Sequence, residues 1–176
     1  MALVYIALGS NLPSPAGSPE ATLAAAVACL ASLGHVTARS SLYSTAPVGF
    51  ADQPRFLNAV VALETTLAPR ELLDSLLDIE REFGRDRSAS LLNGPRTLDL
   101  DLLLYGNLIL SETGLEVPHP RLAERAFVLI PLAEIAPDLR EPRFGRTIAE
   151  LLRALHADPA AVLRIVSPLW PDKIVS

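Results

Sequence analysis

Residues 3 to 8, LVYIAL, are apolar without a break and end at the turn residues GSN, a pattern that predicts a buried first strand. Ser18-Pro19-Glu20 then supplies a cap and a proline at the first helical position, predicting a helix that runs to about Leu33 and stops at Gly34. HVTARSSLYSTAP predicts a strand running out into a proline-containing loop, STAPVGFADQP, and RFLNAVVALETTL predicts a long β-rich stretch. APRELLDSLLDIEREFG is a helix with Pro69 in its first turn and Gly84 at its end.

RDRSASLLNGPR is polar and contains helix breakers, so it predicts a loop, and TLDLDLLLYG supplies the next strand. Gly106 and Asn107 turn the chain into LILSETGLEV, a short hairpin arm. After PHPRLAERAF, the apolar VLIPLAEIAPDL is interrupted by Pro131, which predicts a short helix capped by Pro137. Residues 147–155 predict a last amphipathic helix and AVLRIV a weak terminal strand. No repeat, low-complexity segment or linker divides the chain, so residues 1–176 are expected to form one domain. The β-α-β-β-α-β order is that of a ferredoxin-like α+β sandwich, an antiparallel sheet with packed helices. On this expectation the helices lie on one face and the other is left to hold a site.

Composition supports a folded chain: of 176 residues, 50% are hydrophobic and 20% charged. A net charge of -5 and a pI near 5.2 argue against a general nucleic-acid-binding surface, while leaving room for a local basic pocket. The N-terminus has no basic region before its apolar run, which fits a first strand better than a signal peptide, and no uncharged apolar run reaches membrane-spanning length. A cytoplasmic monomer acting on small molecules, without membrane or nucleic acid, is the expectation.

Cys29 is the only cysteine, so neither an intrachain disulfide nor a thiolate zinc site can form, and its apolar helix predicts an inert thiol. His35, His119 and His156 lack the spacing of a helical zinc site. The only lysine is Lys173, so there is no P-loop and any nucleotide must be held by other means. Arginines cluster instead at positions 81, 85, 87 and 96, and again at 121 and 125. Such planar, permanently charged forks suit phosphate oxygens, although a solvated charged face has the same composition.

GPRTLDLDLLLYG, residues 94–106, carries the most chemistry. A strand puts residues i and i+2 on one face, so Asp99 and Asp101 point the same way with Cα atoms roughly 7 Å apart. Leu98, Leu100, Leu102 and Leu104 are expected to fill the opposite face. Two carboxylates side by side in apolar sequence need cationic compensation. They can share hard cations, in the manner of phosphoryl-transfer sites with two metals roughly 3.5 to 4 Å apart. Magnesium asks for few protein carboxylates and takes water and phosphate oxygens for the rest. Alternatively, the pair lines a solvated face or binds Arg96. The rigid Gly94-Pro95-Arg96 turn and the nearby Arg85 and Arg87 favour a polyphosphate site.

The chain resembles the 6-hydroxymethyl-7,8-dihydropterin pyrophosphokinases of folate biosynthesis through YIALGSNL, YSTAPVGFADQPRFLNAVVALET, GPRTLDLDLLLYG and VPHPRLAERAFVLIPLAEIAPD, in that order. The resemblance implies Mg2+-dependent transfer of the intact diphosphate of ATP to the pterin hydroxymethyl oxygen, with release of AMP. Asp99 and Asp101 would then bind two magnesium ions, Arg96 would grip phosphate, and Arg85 and Arg87 would close over it. Glu80, Arg87, Leu102, His119 and Arg125 correspond to positions around ATP. Thr45, Val48, Phe56, Asn58 and Phe127 correspond to positions around the pterin, where two rings and an amide suit a flat heterocycle edged with donors and acceptors. Asn93 stands where family members usually carry an aromatic, Leu77 replaces an amide, and Pro120 follows His119 where some relatives have tyrosine. A metal-dependent phosphoesterase and a nucleotide-binding module without catalysis are the other readings the residues allow.

Overall fold

The N-terminal apolar run forms the centre of an antiparallel sheet. This computed structural model describes residues 1–47, 52–88 and 94–171. In chain order the elements are β1 (Ala2–Ser10), α1 (Pro19–Leu30), β2 (His35–Arg39), β3 (Leu42–Thr45), β4 (Phe56–Thr65), α2 (Pro69–Glu82) and β5 (Asp99–Tyr105). There follow the hairpin β6 (Leu110–Glu112) and β7 (Leu115–Val117), α3 (Ala126–Ile135), the short pair β8 (Arg140–Glu141) and β9 (Arg146–Thr147), α4 (Ile148–Leu155) and β10 (Val162–Ile165). The main sheet has the order β10-β3-β4-β1-β5, with β2 pairing the other half of the β4 edge that β3 occupies. All its pairings are antiparallel. The fold is a mixed α+β sandwich of the ferredoxin-like kind.

Local chemistry explains the helix boundaries. Ser18 accepts a hydrogen bond from the Ala21 amide, and Pro19 occupies the first turn of α1. Glu71 reaches back to the Ala68 amide at the start of α2, and Gly84 follows its end with φ +83°, a conformation that costs glycine little. Thr147 and Glu150 form a reciprocal capping box on α4.

The sheet is covered on both faces, which corrects the expectation of helices on one face only. Ile6, Leu8, Leu63, Leu100 and Leu102 pack against Leu23 and Leu30 of α1 and Leu72 and Leu76 of α2. On the opposite face, Tyr5, Val60, Ala62 and Leu103 pack against Leu129 and Leu132 of α3 and Ile148 and Leu151 of α4. The physical reason is α3 itself: AFVLIPLAEI is apolar over most of its surface and must be buried. Pro131 does not interrupt it. A proline removes one helical hydrogen bond, but the helix runs through from Ala126 to Ile135.

Two other expectations change. Tyr5 pairs with Leu104 and the next residue, Ile6, with Leu102, so Leu103 is an extra residue in β5. The bulge moves Leu104 to the α3 side with Leu103, while Leu98, Leu100 and Leu102 keep to the α1 and α2 side. The strand expected from His35 onward is broken between Arg39 and Leu42. The Ser40 hydroxyl accepts from the Val60 amide, Glu134 of α3 accepts from both the amide and hydroxyl of Ser41, and the Trp170 indole donates to the Ser40 carbonyl. These tertiary partners satisfy the polar groups that the break leaves over.

Gly34 has a steric role. A Cβ there would lie 2.1 Å from the carbonyl oxygen of Glu64, an atom of the central strand β4. Gly34→Ala is expected to destabilise the chain by about 1 to 3 kcal/mol through overpacking. Urea denaturation with an unchanged slope checks it, and wild-type stability would mean that the α1–β2 connection gives way freely.

Candidate active site

Directly opposed residues of antiparallel strands project from one face, so the register shows which side chains share a row. Tyr43, Asn58, Gly9 and Asp99 form a row across β3, β4, β1 and β5. One step further into the sheet, Asp101, Ala7 and Val60 form the next on the same face. This is the α3 and α4 face, at the end of the sheet where β1 finishes and β4 and β5 begin. Gly9 keeps the row low: a Cβ there would come within 2.8 Å of the Asn58 amide oxygen.

The two aspartates have unequal surroundings. Asp99 is ringed by guanidinium groups, with Arg96 at 3.0 Å, Arg85 at 3.4 Å and Arg87 at 3.6 Å. Asp101 has Arg125 at 3.9 Å. Burial, and next the charge of Asp99, push the Asp101 carboxyl up to about 7, so it holds a proton well above the usual carboxylate range. The site therefore has less positive charge beside Asp101 than beside Asp99, and the two carboxylates converging there are hard oxygen donors. Among the described residues no group of three His, Cys, Asp or Glu side chains exists that could cage a metal. A magnesium ion fits this donor set, because it completes its shell with water and phosphate oxygens.

The arginines are held by a second tier of contacts. Glu80 on α2 is 1% exposed and accepts two hydrogen bonds of 2.8 Å from Arg87 and a third, also 2.8 Å, from the Leu100 amide. It is not a helix-surface acid: it ties the start of β5 to the arginine loop and, with Arg85 and Arg87, lines a cleft beside α2. Arg85 donates to the Leu98 carbonyl, and its buried Nε has no hydrogen-bond partner among the described residues. Arg96 is fixed through its backbone by Asn11, whose side-chain oxygen accepts from the Arg96 amide while the amides of Asn11 and Leu12 donate to the Arg96 carbonyl. Asn11 belongs to the GSNL turn after β1. Its role escaped the sequence because only the tertiary fold brings it to residue 96, 85 positions away.

Beside the aspartates lies a cavity of about 310 Å³ lined by Thr45, Phe56, Asn58, Arg96, Asp99, Arg125 and Phe127, among others. Asn58 donates to the Thr45 hydroxyl at 2.6 Å, which fixes its amide. Arg96 lies over the Phe56 ring at 5.3 Å and Arg125 over the Phe127 ring at 5.6 Å. The positions expected around a pterin, Thr45, Phe56, Asn58 and Phe127, thus share one cavity with the phosphate-binding candidates Arg96 and Arg125. Val48 and Asn93 lie outside the described residues. Arg121, Glu124, Ala161 and Val162 also line the cavity and were not singled out for it from the sequence.

His119 stands at the start of the segment leading to α3, its amide donating to the Leu103 carbonyl. Burial and the nearby Arg125 lower its pKa to about 4, so the imidazole is neutral at pH 7. Its Nδ1 accepts from the Arg121 amide, which assigns the proton to Nε2 and makes that nitrogen a donor. Leu102 is 5% exposed in the core with Ile6 and Leu8, on the strand face away from both carboxylates.

Known proteins resemble this chain. The family model described as 7,8-dihydro-6-hydroxymethylpterin-pyrophosphokinase matches residues 5–137. A relative from Pseudomonas aeruginosa named 2-amino-4-hydroxy-6-hydroxymethyldihydropteridine pyrophosphokinase is 52% identical, over 86% of this chain and 90% of its own. One of the same name from Haemophilus influenzae is 46% identical, over 87% and 92%. Among solved structures, the fold is similar to wild-type Plasmodium falciparum HPPK-DHPS, with TM-score 0.67 and 14% identity, covering 87% of this chain and 44% of that one. Matched from its first strand to the end of α3 and closely similar to these relatives, the chain belongs to the 7,8-dihydro-6-hydroxymethylpterin-pyrophosphokinase family.

Proposed function

We propose that this member of a family of folate-synthesis pyrophosphokinases transfers the diphosphate of ATP, as one unit, to the hydroxymethyl oxygen of 6-hydroxymethyl-7,8-dihydropterin, leaving AMP. The observation that carries the reading is the juxtaposition of an under-compensated carboxylate pair, a ring of arginines and an aromatic cavity with a fixed amide. Asp99 and Asp101 would hold Mg2+, two ions being expected. Bound there, magnesium supplies positive charge to the triphosphate and to the oxygen that leaves with AMP.

The remaining work falls to the chain's own groups. Phe56 and Phe127 offer apolar faces to the pterin ring, and Asn58, its amide held by Thr45, reads the ring's edge. Arg96 and Arg125 each lie above one of those rings and each reach an aspartate, so a phosphate chain running from the heterocycle to the carboxylates would pass them. Their forks would orient the chain and stabilise charge developing on its oxygens. Neutral His119 would donate from Nε2 to a phosphate or nucleotide oxygen without adding a further positive charge.

AMP, and not ADP, is expected to appear only when ATP, the dihydropterin and magnesium are all present, as chromatography of the products would show. Pterin-independent release of phosphate would replace the transferase by a phosphoesterase, and binding without turnover would leave a binding module. Asp101→Asn keeps the size of the side chain but removes a charged ligand, and turnover is expected to fall by about 100-fold or more with the fold intact. Near-wild-type turnover at saturating magnesium would end the metal role. Arg96→Ala should lower kcat more than it raises the pterin KM; the reverse would move Arg96 to the pterin side.

The Asp101 shift also fixes a pH dependence. Its folded pKa, about 7, lies above the ordinary aspartate value of 3.8, so the folded chain binds the extra proton between them. The stability this proton contributes to the metal-free chain is full below 3.8 and is lost as the pH rises through about 7. Magnesium competes with the same proton, so its affinity is expected to rise from pH 6 to pH 8 in wild type and to lose most of that dependence in Asp101→Asn. Calorimetric titration at the two pH values checks this, and equal affinities in wild type would refute it.

A further inference from the structure

The family model ends at residue 137, yet Ala161 and Val162 line the cavity. Register explains why. Val162 pairs with Thr45 and Thr45 pairs with Phe56, so the three form one cross-strand row over β10, β3 and β4. Thr45 and Phe56 are two of the positions read above as facing the pterin, and Val162 is the third member of their row. Leu163, the next residue, projects to the other face and is 48% exposed.

This segment is fastened beside the cavity from several directions. Arg55, just before Phe56, donates from Nε to the Ser44 hydroxyl at 2.9 Å and from Nη2 to the carbonyls of Ser44 at 3.0 Å and Ala161 at 3.4 Å. The Ala46 amide donates to the same Ala161 carbonyl at 3.2 Å. Further along, Ser167 donates to Glu20 of α1, and the buried Trp170 donates its indole N–H to Ser40 under the Arg39 guanidinium. The C-terminal segment is therefore a sheet strand with both ends tied down.

We propose that β10 forms a working wall of the pterin cavity, with Val162 as a specificity-determining residue that limits the space for the heterocycle and Arg55 as the positioning residue that holds the wall. The inference rests on the reading of this cavity as the pterin site. Val162 supplies an apolar contact beside Phe56, and the Arg55 fork, spanning Ser44 and Ala161, sets the separation of β10 from the Thr45 end of β3. In the sheet, β3, β4 and β1 separate this wall from β5 with Asp99 and Asp101, so it should act on the pterin and leave ATP binding alone.

The test measures binding of the fluorescent oxidised 6-hydroxymethylpterin in the presence of magnesium and a non-hydrolysable ATP analogue, together with separate KM values for pterin and ATP. Val162→Phe, which fills the cavity, is expected to weaken pterin binding about tenfold or more with ATP KM unchanged. Arg55→Ala should weaken it about five- to tenfold, with partial recovery in Arg55→Lys, which restores one donor. Leu163→Ala, on the other face of the same strand, should leave pterin binding at the wild-type value. Thermal denaturation of each variant accompanies the titrations. Wild-type pterin binding in a folded Val162→Phe would overturn the inference, as would equal losses of pterin and ATP affinity in Val162→Phe and Leu163→Ala alike. If wild type itself neither binds nor turns over the pterin, the reading of the cavity fails instead, and the two failures are distinct.

Discussion

Two carboxylates forced to share one face at the end of a buried sheet organise the rest of this site. Asp99 and Asp101 cannot separate, because β5 is locked to the central strand by pairing and its leucines are locked into the core beneath. Their repulsion has to be met by cations that come from elsewhere in the chain. Arg85, Arg87 and Arg96 meet it at Asp99, and only Arg125 approaches Asp101 among the ion pairs of the described residues. Burial, and next the charge of Asp99, leaves Asp101 with a proton that a metal would displace.

Holding several arginines around one carboxylate requires a further layer of acceptors. Glu80 is the clearest case, a buried acid whose three short hydrogen bonds couple α2, the arginine loop and the β5 backbone. Burying that charge would cost several kcal/mol without partners, and Arg87 together with the Leu100 amide provides them. Asn11, in the turn after β1, holds the backbone of Arg96. Thus rigidity at the carboxylates comes from the sheet, while the orientation of the cations comes from polar side chains that never face the cavity.

The aromatic half of the site follows from the same sheet. Gly9 lowers the floor between Asp99 and Asn58, and α3 covers the middle of this face while its first turn brings Arg125 and Phe127 over the strand ends. Glu134, two turns on in α3, binds Ser41 and Tyr43 and so docks the helix against the broken edge of β2 and β3. One helix thereby shares with α4 in closing the second core and furnishes one wall of the cavity.

Much of this was legible in the chain itself. Period-two alternation placed Asp99 and Asp101 on one face, breaker residues marked the start of α1 and both ends of α2 while α1 stops at Leu30, short of Gly34, and the G-P-R turn announced an arginine near the carboxylates; each depends on residues close in sequence, where backbone geometry alone decides. What the sequence by itself could not determine was which distant groups would meet. The bulge at Leu103 that carries Leu104 to the other core, the burial of Glu80, the reach of Asn11 to Arg96 and the row joining Val162 to Thr45 and Phe56 arise from strand register and helix docking. Those are settled by the packing of two cores on one sheet, and no local pattern encodes them.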